Sequence, residues 1–286
     1  MSLEQFSKAT RETAEKLRII DDALFRLMAV RKGVCQEILR TLLDMPELTV
    51  VRVTVQSTVP SLHRGIILDA LCILENGEYV NIEMQKESCN DDIMRTRYHA
   101  AALTTAYTPK GTTFADIPQV TILYITEYDA LNSHQAITRV KRCMETKEGF
   151  VPVQDKEDIF FANTQIKEDT DKSELLQLFL RKDVFEDAKF PKLSEAVKYF
   201  KKTEGGRAEV CKIIEDYAKE YAAAYGAECE EKGRAEGREE GRLHEIFRSV
   251  QDGDYTVKRG AQKANMEDSE FEKKMTEAGY KIPECV

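Results

Sequence analysis

Residues 65–94 read GIILDALCILENGEYVNIEMQKESCNDDIM. Two apolar runs, Ile66–Leu74 and Tyr79–Met84, flank the short connection Glu75-Asn76-Gly77-Glu78. Asn-Gly tolerates the positive φ of a tight turn, so the stretch predicts a β-hairpin. Asp69 and Glu83 are then two carboxylates on neighbouring strands, each inside an otherwise apolar segment. Burying a lone carboxylate is expensive unless it meets a metal, a cation or solvent. The pair points to a metal. Residue types alone leave a structural reading beside it, with Asp69 against Arg95, Arg97 or Lys86 and Glu83 in a cross-strand ion pair.

Working outward, Asp21 or Asp22 caps a predicted helix through Leu43, with Phe25, Met28, Val30, Val34, Ile38 and Leu42 in an imperfect three-to-four spacing and Glu37 among them. Pro46 closes it. Leu48–Gln56 reads as a strand, since Val50, Val53 and Val55 are strand formers, and 57–64, with Pro60 and His63, as a loop. Beyond the hairpin, Asn90 caps a helix over 91–106 that carries Arg95 and Arg97 near its start and Tyr98 as a packing residue. Thr108-Pro109-Lys110-Gly111 breaks it. Val120–Ile125 is nearly continuous and apolar, the mark of a buried central strand. This alternation predicts an α/β domain with a central mixed β-sheet flanked by helices.

Signals weaken from 129 to 156. Ile159–Asn163 reads as a short strand, and 172–180 and 192–200 as helical. The run 201–206 looks like a hinge or helix break. From 207 to 225, Val210, Ile214, Tyr217 and Tyr221 form a helical stripe that packs on the body or on another chain as a homo-oligomer contact. Gly226, Gly233, Gly237 and Gly241 then alternate with dense opposite charges, as in a connector or a solvent-facing helix. Thr256 and Ser269 cap two last short helices, a pattern suited to docking, capping or DNA recognition. The domain reading is 1–205 for the α/β core, 206–249 for a charged helical connector and 250–286 for a small helical module.

The chain has 286 residues, 42% hydrophobic and 33% charged, with a formal charge of −9. That charge counts against extensive non-specific DNA binding, where Lys and Arg contacts to phosphate dominate, and leaves a local basic surface open. The seven cysteines are scattered without a C-x-x-C pair, and the four histidines are too few for a histidine-rich metal site. No apolar run approaches the roughly 20 residues of a spanning helix, and the first residues lack a signal peptide's apolar core. The expectation is a cytoplasmic protein without a membrane partner.

Magnesium takes oxygen ligands and keeps several waters. Asp69 and Glu83 supply two carboxylates, and the backbone carbonyl of Met84 a third ligand from the strand that carries Glu83. Gln85 shares a strand face with Glu83, because the side-chain period is two, and is placed to orient a water or a phosphate oxygen. A metal so held acidifies water and neutralises a phosphate oxygen, which suits phosphodiester hydrolysis.

The segment LDALCILENGEYVNIEMQ, followed by DDIMRTRYHAAL, Lys110-Gly111 and VTILYI, resembles the PD-(D/E)XK nuclease family of transposase-like, recombination-promoting proteins. The resemblance runs over roughly residues 18–205 and includes FFANTQIKEDTDKSELLQLFL and 199–202; the glycine-punctuated tail near 226–242 also looks like tails of that family. It implies a restriction-endonuclease-like core and a divalent-metal-dependent DNA endonuclease active in recombination or mobile DNA, with Mg²⁺, or Mn²⁺ in its place. Carried onto this chain, the core acid corresponds to Asp69, the acid of the ExK-like element to Glu83, and the first-helix glutamate to Glu37 as a further ligand. Gln85 stands where the wider superfamily has lysine. Glutamine brings polarity without charge, so a catalytically weak or inactive nucleic-acid- or protein-binding module is the alternative. Arg95 and Arg97 are placed either to contact phosphate near the site or to pair with Glu87, Asp91 or Asp92.

Overall fold

The structure, a computed structural model, describes residues 3–59, 65–88 and 90–282, and within the long helix over 220–233 and at 235–236 only the backbone. The loop expected over 57–64 falls outside the described residues from 60 onward. Among the described residues, nine α-helices and eight strands follow in order: α1 Lys8–Lys16, α2 Asp22–Ala29, α3 Lys32–Leu42, β1 Val50–Val59, β2 Ile66–Leu74, β3 Tyr79–Gln85, α4 Asp92–Tyr107, β4 Val120–Thr126, β5 Ile137–Val140, β6 Cys143–Thr146, β7 Gly149–Pro152, β8 Glu157–Asn163, α5 Asp171–Leu178, α6 Pro191–Lys202, α7 Glu204–Gln251, α8 Val257–Ala264 and α9 Asp268–Glu277. Six strands make one mixed sheet in the order β1-β2-β3-β4-β8-β5; β6 and β7 pair separately. β1, β2 and β3 run antiparallel, β3, β4 and β8 parallel, and β5 antiparallel to β8.

The hairpin forms where the sequence placed it. Its turn is a three-residue loop: Gly77 donates to the Leu74 carbonyl at 3.0 Å, and Gly77 alone takes positive φ, at 83°. β4 is buried at every position, as its unbroken apolar run implied. The single helix expected over 21–43 is instead two. From Met28 and Ala29 to Val34 and Cys35 the apolar rhythm is interrupted, Arg31 is extended, and Val30 is 63% exposed. The break lets each piece turn its own apolar face to the sheet. β5, β6 and β7 carried no signal, because β6 and β7 are exposed along their whole length and have no buried face to impose a period.

Two cores cover the sheet. Ala70, Cys72, Val80, Ile82 and Leu123 pack with α2, α3, α5 and α6 on one face. Leu71, Ile122, Tyr124 and Phe161 pack with Ala100 and Leu103 of α4 on the other. The β1–β2 ribbon changes face along its length. Val55 and its partner Ala70 belong to the first core, whereas Val59 and its partner Ile66 belong to the second, although strand alternation alone would keep them together. The change occurs at Gln56, which has φ 51° inside β1 and lies between the paired positions 55/70 and 57/68, opposite Asp69. A left-handed conformation at a non-glycine residue costs about 1–2 kcal/mol, and here it sits beside the acidic pair.

Residues 1–217 and 218–286 form two compact units, and α7 begins in the first and ends in the second. In the first, Ala208, Val210 and Cys211 are buried in the larger core and Ile214 packs on it, so the stripe read from 207 onward is spent on the body as far as Tyr217. The glycine-punctuated run is continuous helix. The second unit has its own core, built from Ile246, Phe247 and Val250 of α7 with Ala261, Ala264, Phe271 and Met275. Thr256 caps α8 as expected; the cap of α9 is Glu267 rather than Ser269. Among the described residues no helix is long and apolar enough to cross a membrane.

Candidate metal centre

Ala70 faces Ile82 and Leu71 faces Asn81, so one more step along the antiparallel register sets Asp69 opposite Glu83. The two acids grip the backbone there. Asp69 Oδ2 accepts the Met84 N–H at 2.9 Å, and Glu83 Oε1 accepts the Asp69 N–H at 3.3 Å. Glu83 Oε1 also takes the Asn81 side-chain amide at 2.7 Å. No described residue donates to Asp69 Oδ1 or to Glu83 Oε2. Among the described residues, each acid therefore has one oxygen tied to the protein and one without a donor.

Electrostatics set these acids against each other. Burial and the charge of Glu83, with Asp22 behind it, push the Asp69 carboxyl well above the usual carboxylate range; the Met84 N–H and Arg26 pull the other way. A divalent cation held between them would relieve this conflict. The backbone adds a donor. The Gln85 carbonyl accepts from Glu127 N–H at 3.0 Å, so Gln85 directs its peptide groups to β4, and Met84 directs both of its own toward β2 and Asp69. The donor set of Asp69, Glu83 and the Met84 carbonyl is all oxygen and fits a hard cation that retains water. Among the described residues no three His, Cys, Asp or Glu side chains converge as a ready metal cage.

Other expected residues lie differently. Both oxygens of Glu37 are engaged at the start of α6, accepting the N–H groups of Lys192 at 3.0 Å and Leu193 at 2.8 Å. That makes Glu37 a helix cap supplied from α3, and it has no described contact with Asp69 or Glu83. Gln85 is half-buried, with its amide donating to the Glu87 carbonyl at 2.7 Å. Arg95 lies 3.4 Å from Asp91, one turn back on α4, and Arg97 is exposed on the same helix. Tyr98, expected to pack, is 38% exposed. A cavity of about 1320 Å³ opens near Glu37, Arg40 and Lys172, away from the acidic pair, and several of its lysines are engaged by neighbouring carboxylates.

The structure also adds residues that sequence reasoning missed. Asp22, in the first turn of α2, is the acid nearest in effect to the pair; it is held by Arg26 at 3.2 Å and by the Tyr217 hydroxyl. Asn81 had a legible signal, being a polar residue two places before Glu83 on the same strand face. His99 had none, because only the packing of α4 turns its Nδ1 to within 3.6 Å of Glu83 Oε1. The start of α4 is fixed by Asp92, which accepts from Tyr124 at 3.1 Å and Tyr128 at 2.5 Å.

A mixed sheet with a parallel centre, an antiparallel flank and paired acids on adjoining strands defines a restriction-endonuclease-like fold of the nuclease class. Residues 31–208, more than half of the chain, match the family model described as PD-(D/E)XK nuclease family transposase, and the chain belongs to that family. No curated protein and no solved structure matches it.

Proposed function

We propose that the protein is a divalent-metal-dependent DNA endonuclease, acting in recombination or on mobile DNA. The observation that carries this reading is the half-engaged state of each acid, with Asp69 Oδ1 and Glu83 Oε2 left without a donor among the described residues. Asp69, Glu83 and the Met84 carbonyl would hold Mg²⁺, or Mn²⁺ in its place. When bound, the ion supplies an acidified water and neutralises charge on the phosphate. Gln85 would order that water or the scissile phosphate after its amide leaves the Glu87 carbonyl. Arg95 and Arg97, on the helix that follows β3, would contact backbone phosphates. Glu37 is left out of the cage, since both its oxygens cap α6.

A catalytically weak binding protein on the same scaffold is the second reading, favoured by the uncharged Gln85 and its engagement with the Glu87 carbonyl. Cleavage of supercoiled and linear DNA with Mg²⁺, Mn²⁺, Ca²⁺ or EDTA separates the two. Metal-dependent nicking that disappears in Asp69→Ala and in Glu83→Ala is expected. Equal cleavage by the native chain and both variants would reject the site, and DNA binding without cleavage would favour the second reading.

A further inference from the structure

His99 is 7% exposed, and its Nδ1 has no hydrogen-bond partner among the described residues. A buried polar nitrogen without a hydrogen bond has lost its water and gained no partner, so each such case calls for an explanation. The atom it faces is Glu83 Oε1, at 3.6 Å, just outside hydrogen-bond length. That oxygen already takes the Asn81 amide and the Asp69 N–H. Three donor-bearing groups thus surround one oxygen of Glu83, and none among the described residues donates to the other.

We infer that His99 is a positioning residue for Glu83: with its proton on Nδ1, it completes the clamp on Oε1 and leaves Oε2 alone to meet the cation. This rests on the metal reading of the Asp69–Glu83 pair. α4 is suited to the task because it is fixed at both ends of the contact. Asp92 ties its first turn to Tyr124 and Tyr128, and Ala100 and Leu103, just beyond His99, are buried in the second core. A small rotation of the Glu83 carboxylate closes the remaining gap to Nδ1. Partners that orient a ligand in this way typically change metal affinity about 10–100-fold when removed.

The test uses the full chain and Mn²⁺ alone, with binding followed by electron paramagnetic resonance of the free ion and by calorimetry. His99→Phe fills the space without a donor, and His99→Asn restores an N–H near the position of Nδ1. Circular dichroism and thermal unfolding establish that each variant is folded. We expect His99→Phe to weaken Mn²⁺ binding about 10-fold or more and His99→Asn to recover most of the loss. If the native chain binds Mn²⁺ and His99→Phe binds it equally well, the positioning role is overturned while the metal site stands. If His99→Asn binds no better than His99→Phe, the effect is one of packing and the inference is again overturned. A native chain that takes up no Mn²⁺ overturns both.

Discussion

Asp69 and Glu83 hold each other's strand: the carboxylate of Asp69 accepts the amide next to Glu83, and the carboxylate of Glu83 accepts the amide of Asp69 itself. The reciprocal bonds fix both acids at the end of the β2–β3 ladder, where like charges would otherwise drive them apart.

Stability without metal should fall as pH rises. The Asp69 carboxyl is held well above its ordinary range in the folded chain, by burial first and by Glu83 next. The folded state therefore keeps a proton that the unfolded state has lost. Its contribution is whole below the unfolded carboxylate range and declines as pH climbs toward the raised folded value. Asp69→Asn removes this decline. In EDTA at neutral pH it should melt higher than the native chain, each 1 kcal/mol gained being worth ~2–4 °C in a domain of this size. A melting curve unchanged or lowered at every pH would count against the electrostatic conflict.

By the same linkage, metal binding at the proposed site should release a proton. Mn²⁺ affinity should rise with pH until Asp69 is ionised without the metal, and calorimetry in two buffers of different ionisation enthalpy should report proton release. Asp69→Asn should abolish the release. Binding that takes up no part of the buffer enthalpy would contradict the assignment of Asp69 as a ligand.

Glu37 separates a structural acid from a metal ligand. Its carboxylate satisfies two orphan amides in the first turn of α6, so Glu37→Ala should cost about 0.5–2 kcal/mol of stability in urea unfolding. Mn²⁺ affinity should stay at the native value. A large loss of affinity with little change in stability would return Glu37 to the site.

Gln85 should matter to rate more than to metal binding, since the proposed site uses it to order water or phosphate and not as a ligand. Misplacing a reacting group by about 1 Å costs on the order of 10²-fold, and Gln85→Ala should slow nicking by about 10–100-fold with Mn²⁺ affinity little changed. Steady-state nicking with matched calorimetry measures both. An unaltered rate would remove Gln85 from the mechanism.

In the second unit, Gly260 permits the close approach of α8. An added Cβ would lie 2.6 Å from Val250 Cγ2 and 2.7 Å from Phe271 Cζ, both in the small core. Gly260→Ala should destabilise that unit by about 1–3 kcal/mol, read by hydrogen exchange over 243–280, while exchange in β3 and β4 stays native.

The sequence by itself determined the β2–β3 hairpin, the buried β4, the approximate extent of α5, the cap and extent of α8, and the placing of Asp69 and Glu83 on facing strands. Each of these is local: turn chemistry, an unbroken apolar run, or a period of two carries it. Only the tertiary structure decided the rest. The break between α2 and α3 follows from two apolar faces meeting one sheet. Glu37 became a cap because α6, more than 150 residues later, brings its first amides there. His99 reaches Glu83 and Asp22 acts through its charge on Asp69 from helices on opposite faces of the sheet, and Gln56 turns the ribbon beside the pair. Burial and long-range packing set these positions, and neither leaves a periodic trace in the chain.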